Sequence, residues 1–450
     1  MSAQRVAVYG LGRVGMPLAA AWLKAGFHVV GYDVNTQLID RLRSSGFEWI
    51  DEPGVASTFS EALGEGRLSF TADGKQASSS SNIHIIAVPT PIDWASKRFV
   101  SDPLASSLNT VVSGLKNGDV VILESSVPPG TTCGFARRLL EESSKLVADK
   151  DFYLGFSPER IFVGRALEDL VKRYPKIVGG VGPKSARVIS SLYSKVVEKG
   201  VIVVRDSTTA EVVKLFEGVY RDVNIALANE LALYSQSVGV DYYEVRDAAN
   251  SQPYSHLHLP GPGVGGMCIP VYPYFVMEYG AARGFKPKLL HLARQINESM
   301  PQVVVNMLMN EAASNNIDAG GLKVTILGAA FRGNVSDTRN SPTHTIVAEL
   351  KRLGVGNVVV HDPIVISEEH LSALGAELVN DLKLALKGSN GVILVTDHSS
   401  YYTLSLKSLL EYSGKIPLLV VDAKGVLKPQ QVDGVVYRRL GAGGSSYACE

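Results

Sequence analysis

The first residues that could do chemistry together lie near the N-terminus. The chain reads Val6-Ala7-Val8-Tyr9-Gly10-Leu11-Gly12-Arg13-Val14-Gly15, a G-x-G-x-x-G pattern that follows an apolar run and opens a helical one. Gly10 makes the tight turn, and Gly12 lets backbone N–H groups approach a pyrophosphate. Gly15 lets the next helix pack on a sheet, with its positive N-terminal end facing the anion. Leu11 and Val14 fill the intervening positions. Asp33 closes the next apolar run, His28–Tyr32, near the expected spacing of about 20 residues, where a carboxylate accepts both ribose hydroxyls. The same carboxylate repels a 2′-phosphate, so NAD is expected rather than NADP. The other reactive candidates are three cysteines, Cys133, Cys268 and Cys449. An odd, sparse set argues against a disulfide framework and fits a cytoplasmic protein. A lone cysteine is most often a small buried hydrophobe. Cys268 sits in a Gly/Pro-rich loop, Leu259–Pro273, whose glycines allow close backbone approach. Nine histidines are scattered, and His256/His258 lacks the i,i+4 spacing of a helix-borne zinc pair, so no metal is expected.

These residues need elements to position them. Arg5–Tyr9, His28–Tyr32, Asn82–Val88, Val120–Glu124 and Phe152–Phe156 are continuous apolar runs, as in strands buried on both faces. Helical patterns fall between them, including Met16–Ala25 and Ser106–Leu115. That alternation predicts a parallel sheet covered by helices. Residues 207–240 hold no convincing strand and fit one long helix; a second helical region covers Lys286–Asn315. Strands then return at Lys323–Leu327, Asn357–His361, Gly391–Thr396 and Pro417–Val421. The order is α/β, helical, α/β. Ser78–Ser81 reads as a turn or loop on composition, and the tail Gly441–Glu450 as mobile.

The composition excludes several classes. A length of 450 residues suggests two to four domains, and 46% hydrophobic with 20% charged residues is ordinary for a globular chain. Lys+Arg and Asp+Glu balance at 44 each, so nothing draws the whole molecule to nucleic acid or to an anionic membrane. No apolar run reaches the roughly 18 residues of a membrane span, and the N-terminus lacks a signal-peptide layout.

The middle of the chain carries a more specific signal. Pro260-Gly261-Pro262-Gly263-Val264-Gly265-Gly266-Met267-Cys268-Ile269-Pro270 resembles the cysteine loop of the UDP-glucose/GDP-mannose dehydrogenase family, the nucleotide-sugar 6-dehydrogenases. Collinear segments agree: Val88–Pro91, Glu124–Gly130, Phe156–Arg160, Ala210–Lys214, Arg221–Glu230 and Asp337–Pro342. The Ser-Pro-Glu-Arg block and the wording of the cysteine loop are similar to the UDP-N-acetylmannosamine and UDP-N-acetylglucosamine dehydrogenase subgroup. The resemblance implies two Rossmann-like domains with parallel sheets joined by a helical central domain with a long helix. It divides the chain into an NAD-binding domain over 1–204, a dimerising central domain over 205–317, and a UDP-binding domain over 318–450. It implies a homodimer, a UDP-sugar substrate, a place in the supply of acidic sugars for polysaccharide, and NAD-dependent four-electron oxidation of the sugar C6 alcohol to a carboxylate. UDP-N-acetylmannosamine is the preferred substrate, with UDP-glucose or UDP-N-acetylglucosamine as the alternative.

The resemblance also assigns residues. Cys268 is the nucleophile that forms thiohemiacetal and thioester. Lys214 supports the developing alkoxide, Glu159 the hydrolytic water, and Ser126 the site water or the cofactor. Thr90 and Arg339 join Gly10, Leu11, Gly12, Val14, Gly15, Asp33 and Ser126 as cofactor contacts. Arg160, Ile161, Lys214, Arg221, Gly263, Gly265 and Arg332 fall at substrate positions.

Several family positions differ in this chain. Gly218 replaces an Asn four residues after the lysine, Met267 a His before the cysteine, and Tyr272 an acid four residues after it. Arg332 replaces a lysine, and Gln252-Pro253-Tyr254 replaces His-Pro-Arg. Arg332 keeps the charge but changes hydrogen-bond geometry. Losing one oxyanion donor at Gly218 would cost about 2.7–4 kcal/mol of transition-state stabilisation. Tyr272 removes an anionic base at neutral pH. Two readings follow: an active enzyme with an altered pocket, or a paralogue that binds NAD and nucleotide sugar without turnover. Cys268, Lys214, Glu159 and Asp33 together favour the first. A plain 2-hydroxy-acid dehydrogenase would share the fingerprint and long helix but needs neither the cysteine loop nor a third α/β domain.

Overall fold

A computed structural model describes residues 4–443. It divides into two compact units, one of residues up to Glu217 with Tyr274–Phe285, the other of Gly218–Pro273 with the chain from Lys286 on. The first holds strands β1 (Arg5–Tyr9), β2 (His28–Tyr32), β3 (Leu68–Thr71), β4 (Ile83–Ile86), the short hairpin β5 (Ile92–Asp93) and β6 (Arg98–Phe99), then β7 (Val120–Leu123), β8 (Tyr153–Phe156), β9 (Lys176–Gly180) and β10 (Val201–Val203). The main sheet runs β10-β9-β8-β7-β4-β1-β2-β3. It is parallel except between β8 and β9. A parallel return needs a crossover. Here the Ser157–Tyr174 stretch supplies only one turn of helix, Ala166–Glu168, and a π-turn, Asp169–Arg173, so β9 comes back reversed. The central strands β4 and β7 are buried at every residue, which explains their unbroken apolar sequence. One face packs around Trp22, whose ring meets Phe27 and Tyr193 edge-on at 4.8 and 5.4 Å; the other packs around Tyr9, Phe152 and Phe156.

The second unit holds β11 (Lys323–Leu327), β12 (Asn357–His361), β13 (Glu377–Val379), β14 (Gly391–Leu394), β15 (Leu418–Asp422) and β16 (Val435–Arg439), parallel in the order β13-β12-β11-β14-β15-β16. Besides the short hairpin β5–β6, the strands the sequence did not announce, all in the two large sheets, are β3, β9, β10, β13 and β16. Apart from β9 these stand at or beside sheet edges, where one flank needs no apolar cover. The long helix is Ser207–Ser237, and the second is Lys288–Ser314. A buried polar chain joins them within this unit. Asp222 accepts from Arg294 at 2.6 Å and from the Asn297 amide at 2.9 Å; Asn229 donates to Asn297 at 3.0 Å and accepts the Gly261 N–H at 2.8 Å. The start of the cysteine loop is thereby anchored to a helix.

One expectation fails, and a second is corrected only at its first residues. Ser78 and Ser79 are helical, in Gly74–Ser79, because Asp73 caps the turn and the Ser78 hydroxyl satisfies itself on the Val111 carbonyl at 2.6 Å. The tail is held at its start: Tyr242 N–H donates to Gly441 O at 2.8 Å and Gly443 N–H to Val240 O at 2.9 Å. The remainder, with Cys449, lies outside the described residues.

Both sheets use the same device after their first strand. Gly10 N–H donates to Tyr32 O (2.8 Å) and Leu11 N–H to the Asp33 carboxylate (2.8 Å). Gly328 N–H donates to His361 O (2.7 Å) and Ala329 N–H to Asp362 (2.8 Å). Asp362 is fully buried and also accepts from Ala330, Ile364, Val365 and His398. Burial pulls its carboxyl up, but His398 and the Val365 and Ile364 N–H groups outweigh this and hold it at about 2. A carboxyl depressed on folding adds stability above its unfolded pKa and loses it as the pH falls towards the folded value. At pH 7 the contribution is about 2 kcal/mol. Asp362→Asn should therefore melt well below the parent at neutral pH, and that gap should narrow as melts are repeated from pH 5 down to pH 2.5. A gap independent of pH would contradict the assignment.

Candidate functional site

Gly10 has φ +92°, and a Cβ there would lie 2.8 Å from the Ala87 carbonyl oxygen. At Gly15 a Cβ would lie 1.7 Å from the Gly10 carbonyl oxygen. Both glycines are demanded by the protein's own packing. Gly12 is different: nothing stands within 4 Å of its Cβ position, so its bare backbone faces open space ahead of the Gly15–Lys24 helix. That is the cradle an anionic phosphate requires. Leu11 is buried and Val14 half-buried against the core, which fixes the loop from behind. Asp33 accepts from Leu11 N–H and from Asn35 N–H (2.9 Å). A carboxylate offers about four acceptor positions, so this half-buried group keeps capacity for two hydroxyls. Its counterpart Asp362 is saturated by its own loop. Of the two sheets, the first has the residues that fit a dinucleotide.

The neighbouring strand ends add more. Thr90 follows β4 and Ser126 follows β7, both half-buried. Their loops are tied by Ser125, whose N–H donates to Ile86 O (3.1 Å) and hydroxyl to Val88 O (2.7 Å). After β8 come Glu159, Arg160 and Ile161. Glu159 is only 6% exposed. The Lys214 ammonium, on the long helix, donates to the Glu159 backbone carbonyl, so these two predicted residues meet. Burial pushes the Glu159 carboxyl up; the Lys214 and Lys176 charges and the Ile161 N–H pull back, Glu124 adds to the rise, and the net direction is upward. That moves it towards the range useful to a general base near neutrality. A cavity of about 10 Å³ beside it is lined by Glu159, Arg160, Tyr174 and Lys176, at the lower limit for one water. Arg160 itself pairs with Glu217 at 2.6 Å and donates to the Pro175 carbonyl at 3.3 Å. Ile161 packs against the core.

Lys176, Glu124 and Tyr193 were missed by sequence reasoning. Lys176 and Glu124 form a buried ion pair at 2.6 Å, and the Tyr193 hydroxyl donates to Glu124. The available signal was a charge at the head of the apolar run Lys176-Ile177-Val178-Gly179-Gly180 and an acid at the end of another. Glu211 was missed too. It accepts from Gly130 N–H (2.5 Å) and Thr132 N–H (2.7 Å), securing the loop that carries Ser126; burial, outweighing those bonds, pushes it up to about 7.

The second unit contains the exposed free thiol of Cys268. Its loop is held from two sides. Gly266 N–H donates to Arg339 O at 2.8 Å, and the Asn340 amide donates to Gly266 O at 3.0 Å. Gly265 meets Phe331, whose Cβ would be 2.4 Å from an added Cβ, and Gly263 (φ +134°) meets Pro342 at 3.3 Å. The close approach of these glycines is thus to the protein itself. Arg339 grips Asp337 through two bonds of 2.8 and 2.6 Å. Those bonds prevail over partial burial, and the Asp337 charge and then Cys268 push the guanidinium further up. A cation therefore lies within electrostatic reach of the thiol. Arg332 follows Phe331, and Arg221 is half-buried on the long helix. Among the described residues no group of three His, Cys, Asp or Glu could hold a metal ion, and no helix is long and apolar enough to cross a membrane.

The glycine geometry separates two kinds of effect. Gly15→Ala should lower the melting temperature by several degrees, because its methyl overlaps Gly10. Gly12→Ala should leave the melt of the free protein within about 1 °C and abolish most of the stabilisation by added NAD. Equal behaviour of the two variants in melts with and without NAD would refute this division.

Comparison with known proteins matches the chain to three domain models in order: the UDP-glucose/GDP-mannose dehydrogenase family NAD binding domain over residues 4–197, its central domain over 208–299, and its UDP binding domain over 325–429. The UDP-N-acetyl-D-mannosamine dehydrogenase of Pyrococcus horikoshii is 36% identical over 445 residues, 98% of this chain and 99% of that one. The UDP-N-acetyl-D-glucosamine 6-dehydrogenase of Pseudomonas aeruginosa is 33% identical over 434 residues, 95% of this chain and 98% of that one. The solved structure of a UDP-D-ManNAc dehydrogenase from Pyrococcus horikoshii superposes with a TM-score of 0.88 at 33% identity, covering 97% of this chain and 99% of that one. A dinucleotide cradle, an exposed cysteine in a glycine loop and three collinear domains have one shared explanation: the chain belongs to the UDP-glucose/GDP-mannose dehydrogenase family and is an NAD-dependent nucleotide-sugar dehydrogenase.

Proposed function

We propose that the protein oxidises UDP-N-acetyl-D-mannosamine at C6 to the uronate, within a homodimer in the cytoplasm. The observation that carries the reaction class is the buried, upward-shifted Glu159 held by Lys214; the exposed free Cys268 of the second unit supplies the nucleophile the same reaction needs. The sugar is favoured by the relatives of that name at 31–36% identity. UDP-N-acetylglucosamine is the second candidate, because the Pseudomonas aeruginosa relative is nearly as similar. Bound NAD⁺ supplies the hydride acceptor for each of two oxidations, held by Gly10, Leu11, Gly12, Val14, Gly15 and Asp33, with Thr90, Ser126 and Arg339 as further contacts, in the domain read as 1–204.

The chain's own groups do the rest. Lys214 steadies negative charge on the C6 oxygen as its proton leaves. The Cys268 thiolate adds to the aldehyde carbon, giving a thiohemiacetal, which becomes a thioester on the second oxidation. Glu159 takes a proton from water, the water oxygen displaces sulfur, and the carboxylate product leaves. The central domain, 205–317, supplies the long helix. Its exposed Phe216, Tyr220, Leu227 and Tyr234 recur at intervals of four and seven and make an apolar stripe suited to a second copy. The UDP moiety and the sugar fall to the third domain, 318–450, with Arg160, Ile161, Arg221, Gly263, Gly265 and Arg332. A nucleophilic cysteine in a chain of three cysteines, with Cys133 and Cys268 free among the described residues, suits the reducing cytoplasm.

The test is NADH formation with substrate limiting, using UDP-N-acetylmannosamine, UDP-N-acetylglucosamine, UDP-glucose and GDP-mannose. About two NADH per UDP-N-acetylmannosamine are expected, with turnover abolished in Cys268→Ser. Glu159→Gln should give a fast burst followed by turnover at least 100-fold slower. Because the base must be ionised, activity should fall on acidification through a pKa above the ordinary glutamate value. Absence of NADH from every sugar would defeat the proposal.

A further inference from the structure

Gly218 lies inside the Ser207–Ser237 helix, where glycine is about 1 kcal/mol worse than alanine. Its backbone is not left-handed, so conformation does not require it. Space does. A Cβ at 218 would stand 2.3 Å from Cδ2 of Tyr272 and 3.2 Å from its Cγ and Cε2. These atoms belong to the near part of a ring that is 3% exposed, so the ring cannot swing aside cheaply. Tyr272 is also the last link of the turn that begins at Cys268: its N–H donates to the Cys268 carbonyl at 3.0 Å, and the Val271 N–H donates to the same oxygen at 3.1 Å. Gly218 and Tyr272 are two positions at which this chain departs from the subgroup wording, and the geometry makes them one feature.

We propose that Gly218 and Tyr272 act together as a positioning pair for the nucleophile: the glycine leaves a notch in the helix, the Tyr272 ring seats in it, and the seated ring fixes the Cys268 turn and thus the direction of its thiol. The observed contact is made by ring carbons, so Tyr272→Phe keeps the seat. The proposal rests on Cys268 being the nucleophile, but thiol reactivity can be followed without turnover. The experiment compares wild type, Gly218→Ala, Tyr272→Ala, Tyr272→Phe and the Gly218→Ala/Tyr272→Ala double variant as full chains. It reads kcat, KM, the melting temperature and the rate of Cys268 alkylation by iodoacetamide, resolved from Cys133 and Cys449 by peptide mass spectrometry. Tyr272→Ala and Gly218→Ala should each lower kcat at least tenfold with KM within threefold, and change the Cys268 alkylation rate at least threefold. Tyr272→Phe should stay within threefold of wild type in all readouts. The double variant should be no worse than the worse single one, since both remove the same contact. Tyr272→Ala introduces no clash, so it decides the matter even if Gly218→Ala fails to fold. The pair is refuted if Tyr272→Ala leaves Cys268 alkylation and kcat within twofold, if the single effects multiply, or if Tyr272→Phe is as damaged as Tyr272→Ala. Altered alkylation in a wild-type background that turns over no nucleotide sugar would keep the pair and defeat only the proposed reaction.

Discussion

Parallel pairing of Tyr9 with Tyr32 and Ile86, of Ile86 with Leu123, and of Leu123 with Phe156 brings five strand ends to one edge of the first sheet. Ligands of open α/β sheets bind outside the carboxyl ends of the strands, and here every candidate residue of the first unit except Lys214 follows such an end. The glycine loop follows β1, Asp33 β2, Thr90 β4, Ser126 β7 and Glu159 β8. A slip of one residue in any pairing would turn the following side chain to the opposite face. The Asp33 bond to Leu11 N–H is the local expression of this constraint, because it locks the loop after β1 to the end of β2.

Charge burial sets the chemistry at the same edge. Removing Glu124 and Lys176 from water is expensive, and their 2.6 Å contact with the Tyr193 hydroxyl as an added donor offsets that loss. What remains is a positive charge near Glu159, opposed by its desolvation. The desolvation wins, so Glu159 shifts upward while staying hydrogen-bonded. The second unit has the corresponding arrangement for sulfur: Asp337 orients Arg339, and the loop of Cys268 is bonded to the Arg339 backbone.

Central strands other than β9 and the two long helices were legible in the sequence because burial on both faces enforces unbroken apolar runs, and a 31-residue segment without strand character has few alternatives; β9, buried throughout, opens on a lysine and closes on two glycines. Edge strands such as Glu377–Val379 and Val435–Arg439 were not, because their exposure relaxes the pattern. The reversal of β9 was invisible for another reason: strand direction depends on the connection, not on the strand's residues. At the site, glycine spacing announced the loop after β1, whereas Cys268, Lys214 and Glu159 were reached through family resemblance. The seating of Tyr272 over Gly218 could not be read at all, since it joins residues far apart in the chain through shape alone.

The proposed chemistry requires that the edge beside Asp33 receive the adenosine end of NAD. The direct measurement is calorimetric affinity of the wild-type protein for NAD⁺ and NADP⁺ at one ionic strength. NAD⁺ should bind at least tenfold tighter than NADP⁺, and Asp33→Asn should narrow that ratio by weakening NAD⁺ and relieving repulsion of the 2′-phosphate. Equal affinities in the wild type, or a ratio untouched by Asp33→Asn, would contradict the account.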